Sequence, residues 1–233
     1  MNDSDQPMEP DLTGKSSGPN AEPDMLGDIP IVDAEEIRAS TRSARVADAI
    51  RCDLATAIAS LSTLESARLA IVTPDDESNL GGAVALARAL SVQFSTVVVD
   101  MAADARSTRD MLDCMDHPGL KDVLTGEKKV SECIFRDTRS AAHIMPSGLT
   151  QQELNPHSVQ LLPVVIDALE SGYQFVIIDA GGADERSLAR IADDHLGVVL
   201  VTGLSASAEI DDRVLGLRRA GYDEPVIVEM IQL

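Results

Sequence analysis

The sequence predicts an α/β protein, a doubly wound and mostly parallel sheet with helices on both faces. Three observations carry that reading. Residues 67–73 and 96–100 are short apolar runs, of the kind buried on both faces in a parallel sheet. Between them lies an Ala/Leu-rich stretch, Ala83–Leu90, with the composition of a helix. From there to the end of the chain strand and helix signals alternate, which implies right-handed crossovers. No internal repeat is present.

Taken in order, residues 1–29 are rich in Pro, Ser, Gly and acids, lack periodicity and are expected to be a disordered acidic tail. Ten acids against the single Lys15 fall between Met1 and Glu36. Residues 30–64 are expected to form an N-terminal helix. Asp33 is its N-cap, Glu36 completes a capping box, and Ile37, Val46, Ile50, Leu54, Ile58 and Leu61 lie near one face. Such a helix has to rest its stripe on the domain or on another subunit. Residues 65–233 are then the α/β domain. After the opening strand-helix-strand unit, helices are expected over 108–117, 120–124 and 130–135. A strand follows at 142–146, then a helix over 159–171 and a strand over 175–179. The last elements are a helix at 185–192, a strand at 197–202, a helix at 208–220 and a strand at 225–231. Gly126, Gly172 and Gly221 stand where helices stop.

The loop between the first strand and helix reads Pro74-Asp75-Asp76-Glu77-Ser78-Asn79-Leu80-Gly81-Gly82. Strand, glycine-containing loop and helix is the frame on which P-loop proteins hold phosphates. The pattern G-x-x-x-x-G-K-[ST] is missing from it. With the helix in register, Asn79 stands in the lysine's place, and Leu80 and Gly81 stand where hydroxyl side chains would bind Mg²⁺. Asp75, Asp76 and Glu77 fill the turn that should wrap the phosphates. Two like charges about 4 Å apart at an effective dielectric of about 20 repel by roughly 4 kcal/mol, so three carboxylates oppose a triphosphate strongly. Two readings of the loop stand at this point: a vestigial nucleotide site and an ordinary α/β turn.

The formal charge of −20 opposes non-specific nucleic-acid binding and attraction to an anionic membrane surface. No run of 18 apolar residues predicts a membrane span, and the first residues lack the pattern of a signal peptide. Cys52, Cys114 and Cys133 form neither a zinc pattern nor a disulfide framework, which favours a reducing, cytoplasmic setting. His117, His143, His157 and His195 lack metal-ligand spacing. Ser147, Ser205 and Ser207 have no evident His/Asp partners, so a hydrolase triad is not expected.

Several short stretches share an order and spacing that resemble a known group. They are Leu26-Gly27-Asp28-Ile29-Pro30, Asp48-Ala49-Ile50-Arg51, Gly119-Leu120-Lys121-Asp122-Val123-Leu124-Thr125-Gly126, Leu154-Asn155-Pro156 and Tyr173-Gln174-Phe175-Val176-Ile177-Ile178-Asp179. Together they resemble the cytoplasmic domain of bacterial tyrosine kinases of capsule and exopolysaccharide export, a branch of the MinD/ParA-like P-loop ATPases often fused to chain-length-determining membrane proteins. The resemblance runs from about Leu26 to Leu233.

The resemblance implies a P-loop NTPase-like fold, with Asp179 ending the Walker B strand and Asp100 opening a second Asp-x-Asp Walker motif. The bland alternative for Asp179 is a strand-end cap of the following turn, and for Gly181-Gly182 a simple turn. Ala102 replaces the second aspartate of the Asp-x-Asp motif. The group's C-terminal tyrosine cluster has no counterpart in Glu229–Leu233, and Leu54 stands where its oligomerisation helix carries a second arginine. The vestigial nucleotide-site positions are therefore Asp75, Asp76, Asn79, Leu80, Gly81, Asp100 and Asp179, with no catalytic or metal-binding residue expected. The leading expectation is a pseudokinase or pseudo-ATPase without a cofactor, cytoplasmic and recruited to the inner membrane by a protein partner. That partner would be a membrane chain-length determinant or a polysaccharide export component, and a homo-oligomer is compatible with this reading. One alternative is an ATP- and Mg²⁺-using tyrosine kinase or ATPase with an altered site. Another is a MinD/ParA-like positioning protein, against which the strand-like C-terminal stretch counts, because MinD-like proteins end in a basic amphipathic membrane helix.

Overall fold

The computed structural model describes residues 50–65, 67–73, 81–148, 158, 160–182, 188, 196–203, 207–222 and 225–230. The acidic tail, the Asp33 capping box and the helix expected at 185–192, apart from Leu188, lie outside the described residues.

The chain enters through β1 (Ile50–Asp53) and α1 (Leu54–Leu61), followed by β2 (Ala67–Val72), α2 (Gly82–Leu90) and β3 (Thr96–Asp100). Two short helices, α3 (Arg106–Met111) and α4 (Leu120–Leu124), precede a 3₁₀ turn at Val130–Glu132. Next come β4 (Phe135–Arg136), β5 (His143–Met145), α5 (Leu162–Glu170), β6 (Phe175–Gly181), β7 (Leu196–Thr202), α6 (Ser207–Arg219) and β8 (Val226–Glu229). Among the described residues the strands form one eight-stranded sheet in the order β1-β8-β7-β2-β6-β3-β5-β4. Every pairing is parallel except β4 with β5.

The central strands are buried on both faces because their side chains feed two separate cores. One joins Ala70, Val72, Val97, Val99, Val176 and Ile178 to α4, α5 and α6. The other joins Leu69, Ile71, Val98, Phe175 and Ile177 to α1, α2 and Met111 of α3. Helices therefore cover both faces, as the alternating pattern predicts. Among the described residues no helix is long and apolar enough to cross a membrane.

One expectation is corrected at the start of the described chain. Residues 50–53 are not helical. They form a parallel edge strand against β8, with Ile50 beside Val226 and Asp53 beside Glu229. The helix begins only after Asp53, whose carboxylate accepts the Thr56 amide hydrogen at 2.7 Å as an N-cap. Pairing with a distant strand overrides a local helical pattern here, and Ile50 consequently stands 57% exposed. Ile50 and Arg51, which the sequence places in the 30–64 helix and whose stretch resembles part of the tyrosine-kinase group, lie on this strand instead, with Arg51 pairing to Asp211 and Glu229. The helix expected over 108–117 is shorter and starts earlier, and the one expected at 130–135 is a 3₁₀ turn followed by β4.

The stretch Gly119–Gly126 folds as α4 seated on the segment that follows β5. Asp122 accepts the Gly119 amide hydrogen at 2.7 Å, and Leu120 N–H donates to Pro146 at 2.8 Å. A Cβ on Gly119 would stand 2.0 Å from the Pro146 carbonyl oxygen, so only glycine allows this approach. Gly126 closes the helix at φ 80°.

Candidate functional site

The sheet brings its candidate residues together at the carboxyl ends of its central strands, the customary ligand edge of open α/β sheets. β3 and β6 are neighbours, and their register places Asp100 directly beside Asp179. Both are buried, at 0% and 2% exposure. β2 approaches from the other side of β6, where the Thr73 amide donates to Gly181 at 2.9 Å.

Each carboxylate receives hydrogen bonds from within the chain. Asp100 Oδ2 accepts from the Thr108 amide at 2.7 Å and from Thr108 Oγ1 at 2.6 Å, while Oδ1 accepts from the Ala102 amide at 3.2 Å. Asp179 Oδ2 accepts from Ser107 Oγ at 2.7 Å, and its Oδ1 accepts from the Gly181 amide at 3.1 Å. Consecutive residues of α3 thus serve two neighbouring strands. That placement needs an abrupt entry into the helix, and Ala105 supplies it at φ 50°, a left-handed conformation unusual for alanine.

Electrostatics follow from this geometry. Burial pushes the Asp100 carboxyl up to about 6, against the lowering effect of the Thr108 hydrogen bonds, and the Asp179 charge adds to the rise. Burial also raises Asp179, opposed by the bonds from Ser107 and Gly181 and by the Arg106 charge. Desolvation disfavours the charged form of both groups.

The surroundings are closely packed. Gly181 adopts φ 57°, and a Cβ there would stand 3.2 Å from Arg106 Nη2 and 3.3 Å from Ala102 Cβ. Ala102 itself is buried. Arg106 Nε donates to Asp104 at 3.1 Å, and Arg213 of α6 donates to the Gly182 carbonyl at 2.7 Å. Gly81 starts α2 at φ 60°, and a Cβ on Gly82 would collide with Val201 at 2.7 Å. Among the described residues, no group of three or more His, Cys, Asp or Glu side chains is arranged to hold a metal ion.

Of the residues singled out from sequence, Gly81, Asp100 and Asp179 are described at this edge. Asp75, Asp76, Asn79 and Leu80 lie outside the described residues. Sequence reasoning missed Ser107 and Thr108. The available signal was a Ser-Thr pair just after a strand-end aspartate, where hydroxyls at the start of a helix often bind nearby acceptors.

No family model matches the chain. Solved structures do. The VpsO kinase domain superposes with a TM-score of 0.60 at 18% identity, covering 85% of this chain and 98% of that one. The kinase domain of the Escherichia coli tyrosine kinase ETK gives 0.56 at 17%, with 76% of each chain covered. MinD of Pyrococcus horikoshii, solved with Mg-ADP, gives 0.53 at 22%, covering 70% and 68%. The fold is that of bacterial tyrosine-kinase domains and MinD/ParA-like P-loop proteins. In sequence, an uncharacterized ATP-binding protein of Methanocaldococcus jannaschii is 31% identical over 85 residues, which is 35% of this chain and 32% of that protein. The chain therefore matches about a third of that relative's length. Within the shared fold, the neighbouring ends of β3 and β6 are the positions at which the sequence resemblance places the two Walker carboxylates.

Proposed function

We propose that this chain is a non-catalytic relative of bacterial tyrosine kinases. It acts as a binding or regulatory component of exopolysaccharide or capsule synthesis or export and uses no nucleotide cofactor. One observation carries the reading: Asp100 and Asp179 are buried and already engaged by Thr108 and Ser107 of α3. A carboxylate that orders Mg²⁺ through water needs lone pairs facing the nucleotide, and bonds within the chain take two of about four on Asp179 and three on Asp100. Ala102 in place of a second acid and Asn79 in place of the phosphate lysine support the same reading. These features support a chain that does not hold a Mg-nucleotide in the manner of an active kinase.

In this reading the fold persists for its surfaces. The partner is a membrane chain-length determinant or an export component, which brings the cytoplasmic chain to the inner membrane, and self-association is compatible with it. MinD of Aquifex aeolicus, solved as a complex with MinC, has this fold at a TM-score of 0.54 and supports a protein-binding role.

A second reading, an enzyme with an altered nucleotide site, draws on the 85-residue likeness to an ATP-binding protein. Calorimetric titration with ATP and ADP, with and without Mg²⁺, separates the two. The expected result is no saturable binding at millimolar nucleotide and no phosphotyrosine on the purified chain. Micromolar affinity, or phosphate transfer abolished by Asp179→Ala, overturns the proposal. Affinity isolation from the native host tests the partner separately.

A further inference from the structure

The three cysteines occupy different environments. Cys133 is buried and its thiol is pushed up to about 11, chiefly by desolvation. Cys52 is half-buried, and its thiol is also raised, first by desolvation and then by the charges of Asp53 and Glu229. Cys114 is exposed, in the turn that follows α3, and its Sγ lies 3.2 Å from Nε2 of His117. The imidazole does not hang free. Its ring packs on Phe135 of β4 with centroids 4.4 Å apart, and its own amide donates to the Met115 carbonyl at 2.9 Å. A thiol and a base are thus held together where a small molecule can reach the sulfur.

We propose that Cys114 and His117 form a site of reversible thiolation by low-molecular-weight disulfides. With Nδ1 protonated, Nε2 accepts the thiol hydrogen. Sγ attacks one sulfur of the disulfide, a new S–S bond forms and the old one breaks. The departing sulfur leaves as a thiolate and takes the proton back from the imidazolium. The Cys114 sulfur is oxidised, half of the disulfide is reduced to a thiol, and no other oxidant is consumed. The charged groups around the pair are the exposed Asp113 and Asp116 of the same turn and the exposed Arg136 beside Phe135 on β4. The site is separate from the carboxylate pair and independent of whether a nucleotide binds.

The test uses the full chain and oxidised glutathione, with adducts located by peptide mass mapping. At neutral pH, Cys114 should react at least about tenfold faster than Cys52 or Cys133, following accessibility and thiolate character. His117→Gln should slow Cys114 about tenfold at neutral pH, and the difference should shrink in strong base, where hydroxide takes the thiol hydrogen directly. His117→Phe keeps an aromatic ring against Phe135 and should behave like the Gln variant. The wild-type chain unfolded in urea provides a comparison that needs no variant, and its Cys114 should lose the advantage. Equal reaction at Cys52, a Cys114 rate unchanged in both variants, or equal rates in the folded and unfolded chain would each overturn the assignment.

Discussion

Ser107 and Thr108 are adjacent in sequence, yet each secures a different strand of the sheet: Ser107 Oγ donates to Asp179 on β6 and Thr108 Oγ1 to Asp100 on β3. Two buried carboxylates side by side repel each other and resist desolvation. One turn of helix answers both effects at once, so α3 acts as a clasp across the ligand edge of the sheet.

The Asp100 carboxyl should titrate near 6 in the folded chain, above its ordinary value. The native state then holds a proton that the unfolded state lacks between about pH 4 and pH 6. Its contribution to stability is full below about pH 4 and is lost as pH rises through about 6. Thr108→Val removes a bond that lowers this value, so the carboxyl should titrate still higher. The loss of stability should be about 1.5–3 kcal/mol at pH 7 and smaller near pH 5, where the group is already protonated. Carbon-detected NMR and urea unfolding at both pH values check this.

Ser107→Ala strips the hydroxyl donor from Asp179 Oδ2 and is expected to cost about 1–3 kcal/mol at neutral pH. Because the two carboxylates are neighbours, the double variant with Thr108→Val should depart from additivity by at least about 0.5 kcal/mol. A double-mutant cycle by denaturant unfolding measures the coupling, and strict additivity would show that the two bonds act independently.

Gly119→Ala should destabilise by several kcal/mol or force the 146–148 segment to move, since the added methyl would stand 2.0 Å from the Pro146 oxygen. Gly126→Ala meets nothing within 4 Å and should cost only about 1–2 kcal/mol, the penalty of its left-handed backbone. Thermal unfolding of the two variants side by side distinguishes steric from conformational loss.

The edge position of β1 reverses an expectation drawn from sequence. As part of a buried helical stripe, Ile50→Asp should cost several kcal/mol. On an edge strand, 57% exposed at the rim of an apolar cavity, it should cost less, about 0.5–1.5 kcal/mol. Ala57→Asp, on the buried face of α1 beside an apolar cavity of about 210 Å³ lined also by Leu54, Leu86 and Val199, should cost several kcal/mol. Urea midpoints of the two variants report the contrast.

What could be read in advance followed from signals that are local. Thr96–Asp100 and Phe175–Asp179 are uninterrupted apolar runs, so both strands and their burial were legible, as was the alternation that makes the sheet parallel. β4 was not legible, because Phe135–Arg136 is only two residues long and gains its strand character from β5. β1 is not legible as a strand because its partner, β8, lies far along the sequence. At the candidate site, Asp100 and Asp179 stood out as strand-end acids. The donors to them did not, because contacts between residues 72 positions apart, such as Ser107 and Asp179, leave no periodic trace.

The pairing of β1 with β8 also sets an order of events during synthesis. Arg51 and Glu229 are 178 positions apart and meet across the outermost strand pair. The first described strand therefore emerges from the ribosome long before its mate exists, while β2, β3 and β6 are complete before Val226 is made. A nascent chain halted short of Val226 would leave β1 without a partner and the rim of β7 open, and unpaired rims of this kind recruit strands from other chains. β8 thus acts as a seam between β1 and β7, and a chain that has not yet reached it carries two unpaired rims.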